Sequence, residues 1–242
     1  MKRIISFGCS LTQYHNWRYL IKDAPKGPAN GVSNVMHINQ RSKKWGYDEW
    51  VQDGINLIDY SIAGGGNDLQ HIQYANAEYT GTILKDDIIL WQISSPGRIA
   101  GIDENEKCDT IKNIFTDDDM RLCNYFTAMS NPYYNEYLIR QEYFPQTTTY
   151  NTVWHLNGVK RNNNKLLVIF GWDSCFKNEE KYRIIEFFKK HDIDYIEESI
   201  LQWSERHNFH NENKNDVHPS QEGFKSFTEG CLLPKLKELK WL

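Results

Sequence analysis

Four short apolar runs limit what this chain can become: RIISFG at 3–8, NLIDYS at 56–61, DIILWQIS at 87–94 and KLLVIFG at 165–171. A strand with one wet face alternates apolar and polar residues, and these runs are too continuous for that. They read as strands of a parallel sheet covered on both faces. Helical patterns lie between and after them, at 67–79, at 131–144 with Asn131 as N-cap and Pro132 in the first turn, at 151–161 and at 178–191. A weaker strand, DYIEES at 194–199, and a closing helix over 220–239, broken near Pro234, complete the series. Strand and helix in alternation predict an α/β fold, a three-layer α/β/α sandwich around a central five-stranded parallel sheet.

Two stretches interrupt the alternation. Residues 13–44, with Gly27, Pro28, Gly31 and several asparagines, and residues 99–130 are expected to be long irregular insertions, either lids and specificity elements or solvated decoration. The acidic triplet Asp117, Asp118, Asp119 lacks the alternating ligands and central glycine of a calcium loop and reads as a solvated turn. At 242 residues the chain fits one domain spanning 1–242.

Composition narrows the partners. Against 28 basic residues stand 32 acidic ones, a formal net charge of −4, which offers no footprint for nucleic acid. Five cysteines, Cys9, Cys108, Cys123, Cys175 and Cys231, have neither the even number of a disulfide framework nor the spacing of a zinc ribbon, so a reducing compartment is expected. No stretch reads as a secretory signal or a membrane span, which makes the cytoplasm the expected location. No cofactor motif is present. A small-molecule or carbohydrate substrate fits best, and the 14% aromatic content suits either sugar stacking or ordinary core packing.

In an open parallel sheet, ligands bind beyond the carboxyl ends of the strands. Small and polar residues gather at those ends here: Ser10 after the first run, SIAGGGND at 61–68 after the second, QISSPGR at 92–98 after the third, and NDVHPS at 215–220 late in the chain. Gly64, Gly65 and Gly66 allow close approach of a ligand to main-chain N–H groups at a helix start, although no Gly-Lys-Ser/Thr follows to make a nucleotide loop. Asn67 suits either the N-cap of that helix or the site itself. His218 lies two residues after Asp216 and just before Pro219, so an acid can orient it and a stiff residue can hold it, as a general base requires. Alternation along the first run sends Cys9 toward the core, where a thiol is inert. His207 and His210 add no spacing that specifies a metal, and none is expected.

The order and placing of these segments resemble the SGNH (GDSL-like) hydrolase superfamily. FGCSLT matches that family's first block with Cys9 in place of the usual Asp, YSIAGGGND the second, and DVHPS the last. The resemblance implies a flavodoxin-like sheet and an ester hydrolase with Ser10 as nucleophile, His218 as base and Asp216 as its orienting acid. It also implies an oxyanion hole from the main chain of Ser10 and of Gly65 or Gly66. Two departures stand out. The third block falls on ISSPGR, with Pro96 where the family places Asn, so Asn67 is the replacement donor, with Ser94 or Ser95 behind it. The acid sits two residues before His218 and not three, where Asn215 stands. Arg98, just beyond the third strand, suits a carboxylate or phosphate on a substrate, beside Ser94 and Ser95. Two competing readings keep the same fold: acyl transfer to a sugar hydroxyl, and a carbohydrate-binding or structural protein whose catalysis has lapsed.

Overall fold

A computed structural model of the chain describes residues 1–9, 48–52, 54–61, 66–94, 98–102, 109–112, 119–126, 144–163, 165–172, 178–209 and 218–242. The expected insertion at 13–44 and most of the expected helix at 131–144 lie outside these residues.

The main sheet takes strands β1 (Lys2–Phe7), β2 (Asp48–Gln52), β3 (Ile55–Asp59), β4 (Ile88–Ile93), β8 (Leu166–Phe170) and β9 (Asp194–Ile196) in the order β2-β3-β1-β4-β8-β9. β3, β1, β4, β8 and β9 run parallel, and β2 pairs antiparallel with β3 at the edge. Taken in chain order, the five parallel strands lie 2-1-3-4-5, the flavodoxin-like winding. The added edge strand follows from its turn: Gln52 faces Ile55 across Asp53-Gly54, and Gly54 takes φ 80°, a left-handed value suited to glycine in a tight hairpin.

Each central strand buries both faces, which explains the unbroken apolar runs. On one face Ile5, Phe7, Ile89, Trp91, Val168 and Phe170 pack beneath α1 (Asn67–Tyr79), α2 (Phe144–Asn162) and α3 (Asn178–Lys190). Their neighbours Ile4, Ile88, Leu90, Leu167 and Ile169 pack on the other face against α4 (Ile200–Arg206), α5 (Gln221–Phe227) and α6 (Leu233–Glu238). The result is the expected three layers.

Three sequence expectations need correction. Residues 99–130 are not simply irregular, because β5 (Arg98–Ile102), β6 (Asp109–Lys112) and β7 (Asp119–Phe126) form a separate antiparallel sheet in the order β5-β7-β6, lying against α1. Strands such as DTIK carry too few apolar residues to announce themselves; pairing with β7 gives them their hydrogen bonds. The closing helix does not break at Pro234. A π-turn at Thr228–Leu232 joins α5 to α6, and Pro234 sits in the first turn of α6, where its missing N–H is tolerated. The short strand β9 ends at Ile196, and Ser199 then caps α4 through a reciprocal pair with Gln202, so residues 197–199 are not strand.

Candidate functional site

The winding reverses at β1, between β3 and β4, and a crevice at such a switch point opens beyond the carboxyl ends of the strands. Buried polar side chains lace this edge together. Asp59 at the end of β3, 1% exposed, accepts the Ser6 hydroxyl from β1 at 2.5 Å and the Ser61 N–H at 2.9 Å. One carboxylate thus joins two strands to the start of the glycine-rich segment.

Gln92 links β1 to β4. The ladder between these strands ends with Phe7 opposite Trp91, and Gln92 then reaches across so that its Oε1 accepts the Cys9 N–H at 3.0 Å. The Cys9 thiol lies 3.3 Å from Gln92 Oε1 and 3.2 Å from Nε2. Both residues are fully buried, in line with the expectation that Cys9 faces the core.

Asn67 forms a third link. Its Oδ1 accepts the Ser94 N–H at 2.7 Å, and its Nδ2 donates to the Ser94 carbonyl at 3.1 Å, so one side-chain amide holds the end of β4 against the start of α1. The N-cap role weighed for Asn67 falls instead to Gly66, which is extended at φ −91°, ψ 171°. Asn67 is fully buried, and with one Nδ2 hydrogen on Ser94 only the second is left for any other acceptor.

His218 stands at the same edge. Its ring meets Trp172 edge to face at 5.8 Å, and Trp172 follows β8 directly after Gly171, whose N–H bonds the Ile93 carbonyl at 3.2 Å. Pro219 is buried behind His218, and Ser220 caps α5 by accepting the Gly223 N–H while donating its own N–H to Phe209. The histidine therefore precedes a helix start fixed from both sides. β1 and β8 are separated only by β4, about 10 Å at ordinary strand spacing, so the end of β1 and the His218 loop share one edge.

Of the residues expected in the site, Gly66, Asn67, Ser94, Arg98 and His218 are described, and all but Arg98 lie at this edge. Arg98 opens β5 opposite Phe126, which places its main chain in the second sheet. Ser10, Gly65, Ser95 and Asp216 lie outside the described residues. Among the described residues no group of three or more His, Cys, Asp or Glu is placed to hold a metal, and no helix is long and apolar enough to cross a membrane. Gln92, Asp59 and Trp172 are the residues the sequence reading passed over. Their signal is a lone polar group inside an apolar run for the first two, and an aromatic just past a strand end for the third.

No protein-family model matches the chain, and no curated protein does so either. Solved structures do. A variant of Axe2, an acetyl-xylooligosaccharide esterase from Geobacillus stearothermophilus, is similar over 97% of this chain and 94% of its own, with a TM-score of 0.51 and 10% identity. A catalytic mutant of the same esterase, with a serine replaced by alanine, gives a TM-score of 0.50 at 9% identity over 97% and 94% of the two chains. A lipolytic protein of the G-D-S-L family from Veillonella parvula is similar at a TM-score of 0.45 and 14% identity, over 99% of this chain and 98% of its own. The chain thus shares its overall fold, a flavodoxin-like α/β/α sandwich, with these esterase structures.

Proposed function

We propose that this chain is a serine-dependent ester hydrolase that removes a short acyl group, such as acetyl, from a carbohydrate or other small ester. Ser10 attacks the ester carbonyl while His218 takes its proton, and Asp216 orients the imidazole. Main-chain N–H groups of Ser10 and of Gly65 or Gly66 hold the developing oxyanion, with the remaining Asn67 amide hydrogen as side-chain donor. His218 then returns the proton to the departing alcohol, and water, activated by the same histidine, releases the acid and frees Ser10.

The observation that carries this reading is the meeting, on one sheet edge, of the strand end that leads into Ser10 and the braced loop bearing His218. The solved esterase neighbours add support at the level of fold, and one of them is a catalytic serine mutant. Arg98, Ser94 and Ser95 complete the proposal as substrate contacts.

The test is covalent labelling by a fluorophosphonate probe, run beside acetate release from acetylated xylo-oligosaccharides. Wild-type labelling that disappears in Ser10→Ala and in His218→Ala supports the reading. Labelling that survives Ser10→Ala overturns it. An unlabelled wild type favours the lapsed scaffold, to which one observation does point: the Asn67 amide is engaged with Ser94, and Pro96 stands where the family's donor is expected.

A further inference from the structure

The turn that leads from β1 toward Ser10 is held from the neighbouring strand. Gly8 and Cys9 lie past the end of the β1–β4 ladder. A buried N–H must nevertheless be paired, and Gln92 pairs it by extending the ladder one step through its side chain. The same amide touches the Cys9 thiol at 3.2–3.3 Å, so residue 9 is gripped through both its main chain and its side chain. Such a two-point hold sets the direction in which the next peptide leaves.

We propose that Gln92 is a positioning residue for the nucleophile: through Cys9 it fixes where Ser10 begins. This rests on the reading of Ser10 as nucleophile. Gln92 is fully buried on β4, the strand next to β1, and acts on the nucleophile through Cys9.

The experiment measures fluorophosphonate labelling of Ser10 over a range of probe concentrations, well below each variant's unfolding midpoint. Gln92→Met keeps the length and removes the acceptor. The limiting rate is expected to fall about tenfold or more, with the half-saturating probe concentration little changed, because misplacing a reacting atom slows the step and not the encounter. Gln92→Glu retains an oxygen that accepts the Cys9 N–H and is expected to recover most of that rate. A loss of fold without loss of positioning would not split the two kinetic constants in this way. If Gln92→Met does not fold, Gln92→Asn, which withdraws the carbonyl by one methylene, is read in its place with the same expectation. Full-rate labelling in the acceptor-less or shortened variant overturns the proposal alone. Failure of the wild type to label removes the nucleophile reading, and the proposal with it.

Discussion

His71 and His155 stack between α1 and α2, with ring centroids 4.1 Å apart and planes 25° from parallel. Trp91 lies beneath both, and Tyr74 meets His155 edge on. Among the described residues neither Nε2 has a hydrogen-bond partner. Burial, with the neighbouring His155 second, pushes the His71 pKa down to about 3, and burial also lowers that of His155. Burial raises the Tyr74 hydroxyl to about 12, aided by nearby Glu78, so no charge arises there to favour a protonated imidazole near neutrality. The pair is built to be neutral.

Acid should therefore weaken this fold before the carboxylates titrate. Unfolded histidine takes up a proton near pH 6.5 while folded His71 does not until about pH 3, so its contribution is whole above 6.5 and drains as pH falls between those values. In that window His71 adds a slope of up to about 1.4 kcal/mol per pH unit, and His155, lowered by burial too, acts in the same direction. Urea midpoints measured between neutrality and pH 5 should fall in the wild type. They should fall less steeply in His71→Phe, which keeps a ring and cannot charge. Equal slopes in the two proteins would contradict the assignment.

The opposite end of the sheet should tolerate damage without harm to the site. Asp87, with a side chain 3% exposed, accepts from Arg3 Nε at 2.9 Å and from the Leu84 N–H at 2.7 Å, and Arg3 also donates to the Thr82 carbonyl. This ties the beginning of β1 to the turn before β4. Asp87→Ala strands a half-buried guanidinium and an N–H, for an expected loss of about 2–4 kcal/mol. The rate of Ser10 labelling, measured well below the melting point, should not change. A slower rate would mean that the two ends of the sheet are coupled.

Asn67→Ala should cost both stability and chemistry. It leaves the Ser94 N–H and carbonyl without their amide partner in a buried place, worth about 1–3 kcal/mol. It also frees the end of β4 from α1. Labelling should slow together with a drop in melting temperature, whereas a variant that melts earlier but labels at full rate would leave Asn67 with a structural duty only.

Some of this was written plainly in the chain. Strands buried on both faces must be apolar throughout, so β1, β3, β4 and β8 stand out, and the α1 pattern at 67–79 matches the helix at both ends. Other features were present in weaker form. Asp53-Gly54 is a hairpin signal that accounts for β2, and Ser199-x-x-Gln202 is a capping box that accounts for α4, although neither stands beside a long apolar run. The place of His218 was legible because DVHPS sets the imidazole beside a proline just ahead of a helix, while Ser10 lies outside the described residues. Gln92 and Asp59 were not legible, since a polar residue inside an apolar run is interpretable only through its partner. Here the partners are Cys9, 83 positions away, and Ser6, 53 positions away.

Two glycines in the closing helical run offer a paired test of how His218 is held. A Cβ on Gly223 would lie 2.8 Å from the Phe209 Cβ and 3.1 Å from both the Pro219 Cβ and the Ser204 Oγ. Something must yield, and Pro219 is bonded directly to His218. A Cβ on Gly230 would meet the Trp203 ring at 2.6 Å, a comparable overlap farther along the same run. Both alanine variants should lose about 1–3 kcal/mol from overpacking, seen as a lower urea midpoint. Only Gly223→Ala should also slow the labelling of Ser10, because only there does the displaced atom belong to the residue beside the base. Equal labelling rates in the two folded variants would show that the Pro219 contact does not govern where His218 stands.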